Sequence, residues 1–269
     1  MMDHLLSRRL QHLSTFHHED WEFLQRVCSN KPRLVRARQP ILFQGDVFRS
    51  VPLILKGWVG ASKNLSDGRW QTLSVFIEGD ICNYGLGNFD TADHTLRALT
   101  DVIVLDIPCE HLDELMLIRP DLGRALRRSS LVQSAIARER VLSLGQRKAK
   151  ERCAHLICEL FWRLRANDGA KNNEIDFPLT QEEVGSIIGV STVHANRMLQ
   201  DLRLAGLIEQ ERKRLTVLDL ARLERLALFT PAYLHLDSDN QAESSLMARE
   251  GMSSRGTVFQ KRGHDLHVS

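Results

Sequence analysis

The stretch from Leu179 to Val217, LTQEEVGSIIGVSTVHANRMLQDLRLAGLIEQERKRLTV, constrains this chain most, because it carries two helix starts and two helix stops within forty residues. Thr180 is placed to N-cap a first helix, with Glu183 closing the capping box and Val184, Ile187 and Ile188 on one face. Gly189 ends that helix. Ser191 caps a second one, in which Ala195, Met198, Leu199 and Leu202 form the buried stripe and Gly206 supplies a left-handed stop. Leu207–Glu209 and Leu215–Val217 then read as two short strands joined by residues 210–214.

So short a connection makes the two helices cross steeply, which turns the N-terminal half of the second outward at a width that suits a DNA major groove. On its outer side lie Thr192, His194, Asn196, Arg197 and Gln200. Arg197 has the fork to engage guanine O6 and N7, while Thr192 and His194 reach base edges or phosphates. Arg212, Lys213 and Arg214 fall at the tip of the strand pair, where they would meet the DNA backbone. A capping box with an apolar stripe on its own marks only a helix, and a single exposed arginine is ordinarily just solvated. It is the conjunction of cap, glycine turn, second cap and basic wing that points to DNA.

At 269 residues, 43% hydrophobic and 26% charged, the chain is long enough for two ordinary globular domains. Its net charge is only +2, so any footprint for nucleic acid must be local. Residues 120–150 supply one, with eight cations against Asp121 and Glu139. No apolar run is long enough for a membrane span and MMDHLLSRRL lacks a signal-peptide core, so a cytoplasmic location is expected. Cys28, Cys82, Cys109, Cys153 and Cys158 are scattered without a C-x-x-C pair; they read as buried small hydrophobes, with a redox role as the alternative.

Residues 1–30 are helical in pattern, with Leu5, Leu6, Leu10 and Leu13 on one side and Trp21, Leu24 and Val27 inward in a second piece over Glu19–Cys28. His17 and His18 are adjacent, hence splayed on a helix, and make a poor metal pair; no metal site is expected. From Lys31 the texture changes to short apolar runs over Arg33–Ala37, Pro40–Phe43, Ser50–Leu55, Gly57–Lys63, Trp70–Phe76, Asp80–Tyr84 and Thr95–Ile107. Turn signals between them, the sharpest at Asp67-Gly68, give the rhythm of an antiparallel barrel. Helices return with His111–Ile118, then a long one over Asp121–Leu144 carrying Leu122, Ala125, Leu126, Val132, Ile136 and Leu142, which pairs with its twin or packs on the β-domain. Gly145 interrupts it as a hinge, Lys150–Arg165 begins the next domain, and a short helix over Ala221–Phe229 fades at Pro231. Residues 237–269 are polar and aperiodic and read as a disordered tail, whose His264 and His267 are too isolated for a metal site.

The expected architecture is therefore α+β: an N-terminal antiparallel β-barrel with flanking helices (1–118), a long dimerisation helix and hinge (119–146), a C-terminal winged helix-turn-helix (147–236) and a tail (237–269). This order of parts, and most specifically LTQEEVGSIIGVSTVHANRMLQDLRLAGLI, resembles the Crp/Fnr family of bacterial transcription regulators over about residues 10–235. The resemblance implies a jelly roll of the cyclic-nucleotide-binding type, a homodimer on double-stranded DNA, and contact with RNA polymerase. It places Arg197 on the family's guanine-reading arginine, and Ser191, His194 and Gln181 on phosphate-contacting positions.

Departures from the family are equally informative. Thr192 and Val193 stand where the family's base-reading Arg and Glu open the reader helix, so the half-site should differ there. Along GDICNYGLGNFDTADHTLRALT, Asp80 stands for the ribose-binding Glu and Ala92-Asp93 for the phosphate-binding Arg-Ser pair. A carboxylate at Asp93 repels a cyclic phosphate, so cyclic AMP is not the expected effector. Asp80, Asn83, Tyr84, Asp93 and Thr95 remain as candidate lining of a pocket for an unidentified small molecule, and with only Cys28 ahead of Cys82 an iron–sulfur cluster lacks ligands. No cofactor is expected. Two other readings stay open: a metal-dependent barrel enzyme of the cupin type, for which residues 31–107 supply only His94, and a module that docks RNA polymerase without reading DNA.

Overall fold

A computed structural model describes residue 22 and residues 31–82, 91–167, 170–171 and 173–236. The expectations for the N-terminal helices, for Asn83 and Tyr84, and for the tail lie outside these residues. Among the described residues the β-domain has seven strands: β1 (Arg33–Val35), β2 (Pro40–Leu42), β3 (Ser50–Lys56), β4 (Val59–Asn64), β5 (Trp70–Phe76), β6 (Thr95–Ala98) and β7 (Val102–Pro108). They form two antiparallel sheets, β1-β7-β3 and β2-β6-β4-β5. Alternate residues of both sheets, among them Ile54, Val59, Leu96 and Val104, meet in a common core.

One expected strand is two. Thr95–Ile107 breaks at residues 99–101, and its halves pair in different sheets. The corner is held by side chains: the Thr100 hydroxyl accepts the Trp58 N–H at 3.0 Å. Asp101 accepts the Ala37 N–H at 2.9 Å and the Arg36 guanidinium at 2.7 Å. The sequence hides such a corner, because apolar residues recur on both sides of it. Asp80–Tyr84 is not a described strand either: Ile81 makes a single bridge to Leu53, and residues 83–90 lie outside the described residues.

After α1 (Glu110–Ile118), the long helix α2 runs over Pro120–Gln146. Gly145 does not interrupt it; the break comes at Arg147, which is extended at φ −83°, ψ 145°. At about 1.5 Å per residue, α2 is roughly 40 Å long. Ala125, Leu126, Val132 and Ile136, expected either to pair with a twin helix or to pack on the β-domain, are buried within this chain. What α2 leaves outside is another stripe, Leu131, Ser134, Arg138 and Val141, at the three-four spacing of a paired helix. Leu131 is 62% exposed and Val141 72%.

The C-terminal part comprises α3 (Ala149–Ala166), β8 (Ala170–Lys171), β9 (Glu174–Asp176), α4 (Gln181–Ile188), α5 (Thr192–Leu204), β10 (Ile208–Glu211), β11 (Arg214–Val217), α6 (Leu220–Ala227) and a 3-10 turn over Pro231–Leu234. The strands join in the order β10-β11-β9-β8. β8 and β9, too short to carry a period, went unread in the sequence. The hydrophobic core of this part is continuous with the β-domain, since Trp58, Val75 and Ile77 belong to it.

Where β-domain, α2 and α3 meet, the interior is ionic. Arg163 donates to Asp80 at 2.6 Å, and the two side chains are 1% and 0% exposed. Arg163 also lies 3.4 Å from Glu159, which takes Arg140 at 3.3 Å and the Tyr233 hydroxyl at 3.1 Å. Arg147 pairs with Glu139 at 2.7 Å and donates to the carbonyls of Ala227 and Leu228. Within this cluster sits His155, stacked on Tyr233, its Nε2 3.3 Å from Glu139 but without hydrogen-bond geometry.

Burial depresses the His155 pKa to about 4; Glu159 and Glu139 pull it up and Arg147 and Arg140 push it down, without reversing the effect of burial. The folded chain therefore holds a neutral imidazole, whereas the unfolded chain takes up a proton below about 6.5. The unfolded state binds more protons in that window, so stability falls with pH from 6.5 towards 4 and is fully present above it. Melting temperature measured between about pH 7.5 and 5.5 should drop, and His155→Gln should flatten that slope; an unchanged slope contradicts the assignment.

Candidate nucleic-acid interface

Each half of the helix-turn-helix is locked by its own cap. The Thr180 hydroxyl accepts the Glu183 N–H at 3.2 Å, and the Glu183 carboxylate accepts the Thr180 N–H at 2.7 Å. Gly189 closes α4 in the left-handed region at φ 69°, where a side chain is strained. The Ser191 hydroxyl accepts the His194 N–H at 3.3 Å to open α5. Val184, Ile187 and Ile188 on α4 and Ala195, Met198, Leu199 and Leu202 on α5 are all buried, as their spacing requires.

With that stripe inside, the opposite side of α5 faces out. Ser191, Thr192, His194, Arg197 and Gln200 are exposed. Asn196 is half-buried: its amide oxygen accepts Gln181 Nε2 at 3.1 Å, which ties the two helices together across the turn. Thr180 and Gln181 stand exposed at the start of α4. Val193, which stands with Thr192 where the resemblance puts the family's base-reading pair, also faces out, 82% exposed. Its signal was an apolar residue off the buried stripe, and an exposed valine there can meet only another apolar group, such as the thymine methyl.

The wing differs from its expected form. Its strands extend to Glu211 and Arg214, so the connection is Arg212-Lys213 alone, with Arg212 left-handed at φ 53°. Arg214 is inside the sheet register, where its guanidinium meets Glu174 at 3.3 Å and Asp176 at 3.2 Å. The third strand, β9, supplies both carboxylates. Arg212 and Lys213 thus carry the charge of the tip, and Arg214 is neutralised locally.

Of the candidate effector residues that are described, Asp80 is set apart from Asp93 and Thr95. Asp80 is consumed in the buried pair with Arg163 and accepts the Ile77 N–H at 2.7 Å, which removes it from any pocket lining. Asp93 is near the surface, 2.6 Å from His94 and 3.6 Å from Lys63. Partial burial pushes its carboxyl up, but the His94 and Lys63 contacts outweigh this and hold it below the usual range, so it is anionic. Thr95 accepts the Gln44 N–H. Cys82, Cys153 and Cys158 are fully buried, and loss of solvent pushes all three thiols up, Cys153 to about 12. Among the described residues no group of three metal-ligating side chains comes together.

A cleft of about 390 Å³ separates the outer face of β4, β5 and β6 from the start of α4, with Arg38, Trp70 and Arg97 on one wall and Thr180, Glu182 and Glu183 on the other. Beside it the domains are latched: Thr72 N–H donates to Ser186 Oγ at 2.9 Å, and Gln71 Nε2 donates to the carbonyls of Ser186 and Ile187. Asn167 Nδ2 donates to the Glu78 carbonyl at 2.9 Å.

Comparison with known proteins assigns both halves. Residues 151–226 match the Crp-like helix-turn-helix domain, and residues 32–119 match the cyclic nucleotide-binding domain. The chain belongs to the Crp/Fnr family of transcription regulators. Family members bind DNA, act as dimers and are not enzymes, which supports neither the cupin reading nor docking without DNA. Transcriptional activator protein FnrL of Cereibacter sphaeroides is 28% identical over 71% of this chain and 78% of that protein. Transcriptional activator protein FnrA of Stutzerimonas stutzeri is also 28% identical, over 72% and 80%. The solved structure of FixK2 from Bradyrhizobium japonicum shares the fold, with a TM-score of 0.67 at 22% identity over 74% of this chain and 98% of that one. No helix among the described residues is long and apolar enough to cross a membrane.

The sharp α4–α5 turn depends on Gly185, since a Cβ there would lie 2.8 Å from the Val190 carbonyl oxygen, a backbone atom that cannot swing away. Gly185→Val should therefore cost about 1–3 kcal/mol by overpacking, read as a lower midpoint in urea, and an unchanged midpoint would show the turn to be slack.

Proposed function

We propose that the chain reads an inverted-repeat operator as a homodimer, with α5 of each protomer in successive major grooves. The observation that carries this reading is the presentation of Arg197: exposed on α5, between a buried apolar stripe and a row of outward polar groups. Arg197 pairs with guanine, and Thr192 and Val193 set the neighbouring base, Val193 by apolar contact with a thymine methyl. Thr180, Gln181, Ser191 and His194 hold phosphates on one side of the groove, Arg212 and Lys213 on the other, and Asn196 positions Gln181. Arg214 supports the wing.

Pairing runs along the outer stripe of α2, where Leu131 and Val141 are the apolar members. A two-fold axis there spaces the two readers by about 34 Å, one turn of duplex. The match to a cyclic nucleotide-binding domain supports a sensory role for the β-domain, while the anionic Asp93 argues for an effector other than a cyclic nucleotide. Asn83, Tyr84 and Thr95 stay with Asp93 as its proposed lining. The names of the relatives, both activators, support contact with RNA polymerase.

Selection of bound sequences from a random duplex pool should return a palindrome with a guanine in each half-site. Arg197→Glu should then lose about 1–3 kcal/mol per half-site on that duplex, and wild-type affinity in the variant rejects the reader assignment. The joint substitution Leu131→Glu and Val141→Glu should convert the dimer to a monomer by light scattering, with an unaltered mass placing the seam elsewhere.

A further inference from the structure

After α6 the chain crosses from the DNA-binding part back to the long helix. α6 stops at Leu228, left-handed at φ 49°, and residues 228–236 form a strap with anchors on both α2 and α3. On α2, Leu234 is 2% exposed against Val132 and Ile136, with Leu236 packed beside it. On α3, the Tyr233 hydroxyl donates to Glu159 at 3.1 Å, and two rings lie against His155, Phe229 edge-on at 5.2 Å and Tyr233 stacked at 6.0 Å. The start of the strap is tied to the break itself, since Arg147 donates to Glu139 of α2 and to the carbonyls of Ala227 and Leu228.

Only Arg147 and Lys148 separate α2 from α3. So short a link fixes the distance between the helix ends but leaves their angle to backbone rotation. A contact restrains that angle in proportion to its distance from the pivot. Val132 and Ile136 lie roughly 16–22 Å along α2 from the break, so an ångström of slack there is a turn of only about 3°. The Arg147–Glu139 pair, about 12 Å out, holds the angle less tightly. α2, α3 and the strap thus close a triangle, and a triangle of fixed sides has one set of angles. Leu228 and His235, both at φ 49°, bracket the strap in a strained backbone region that persists only where the surroundings over-determine it.

We infer that the strap sets the angle between the long helix and the reader, and so the half-site spacing that the dimer accepts, with Tyr233 and Leu234 as its positioning residues. This role rests on the dimeric, DNA-reading assignment of α2 and α5. In that assembly the pairing of α2 fixes both long helices, and the place of each reader on the duplex follows from the angle at Arg147. One added base pair shifts a half-site by about 3.4 Å and turns it by roughly 35°. A braced junction meets that mismatch with strain, whereas a loose one follows it by bending.

The test uses the full chain and operators whose half-sites stand at the selected spacing, one base pair closer or one farther. Wild type should bind the altered spacings about ten-fold or more weakly, because protein or duplex must deform to meet them. Leu234→Asp, which sets a carboxylate against Val132 and Ile136, should bring the three operators close to equal affinity, while Leu234→Met should keep the wild-type preference. Tyr233→Phe, which removes only the hydrogen bond to Glu159, should narrow the preference part-way, and it decides the matter where Leu234→Asp fails to fold. Binding to a duplex with a single half-site should be unchanged in each variant, which a merely destabilised reader would not show. Wild-type spacing preference in the folded variant, equal loss on the single half-site, or a wild type indifferent to spacing overturns the strap. So does a variant that turns monomeric by light scattering, since Leu234 would then belong to the pairing seam. A wild type that binds none of these duplexes would reject the reader assignment itself, a distinct result.

Discussion

A guanidinium and a carboxylate closed off from water hold this molecule in one arrangement. Arg163 of the DNA-binding part and Asp80 of the β-domain are both essentially without solvent, 2.6 Å apart. Taking either charge out of water costs several kcal/mol, recovered only when partner and geometry are right, so each helix that contributes to the cluster has little freedom to slide. Around the pair, Glu159 gathers Arg163, Arg140 and Tyr233, and Arg147 spans from Glu139 to the end of α6. A hydrophobic junction of the same size would tolerate small shifts. An ionic one sets register, and through it the angle at which α3 carries the reader.

The path from that junction to DNA is short. α3 packs on α5, whose apolar stripe is spent on the domain core, and the capped turn at Gly189 and Ser191 leaves the guanidinium of Arg197 nowhere to go but outward. The latch from Thr72 and Gln71 ties β5 to α4 beside the residues that would approach phosphates.

Much of this was legible in the residues, for a physical reason. Caps, glycine stops and apolar periods are local, and the helix-turn-helix is built from local signals; Thr180, Glu183, Gly189 and Ser191 each do what their type and spacing require. What escaped was whatever depends on distant pairing. Asp80 looked like a ligand-binding acid because its partner, Arg163, is 83 residues away. Arg214 looked free because Glu174 and Asp176 sit on a strand too short to announce itself. The stripe on α2 looked like a seam between protomers, yet Leu126 and Ile136 are covered by the chain's own side chains, and the face left for a partner is the sparser one through Leu131 and Val141.

The shared core has an implication for how the parts can be handled. Trp58, Val75 and Ile77 are β-domain residues whose side chains complete the interior of the DNA-binding part. Cutting the chain between the two would expose apolar side chains on both sides of the cut, which destabilises each fragment. Melting should therefore be a joint event.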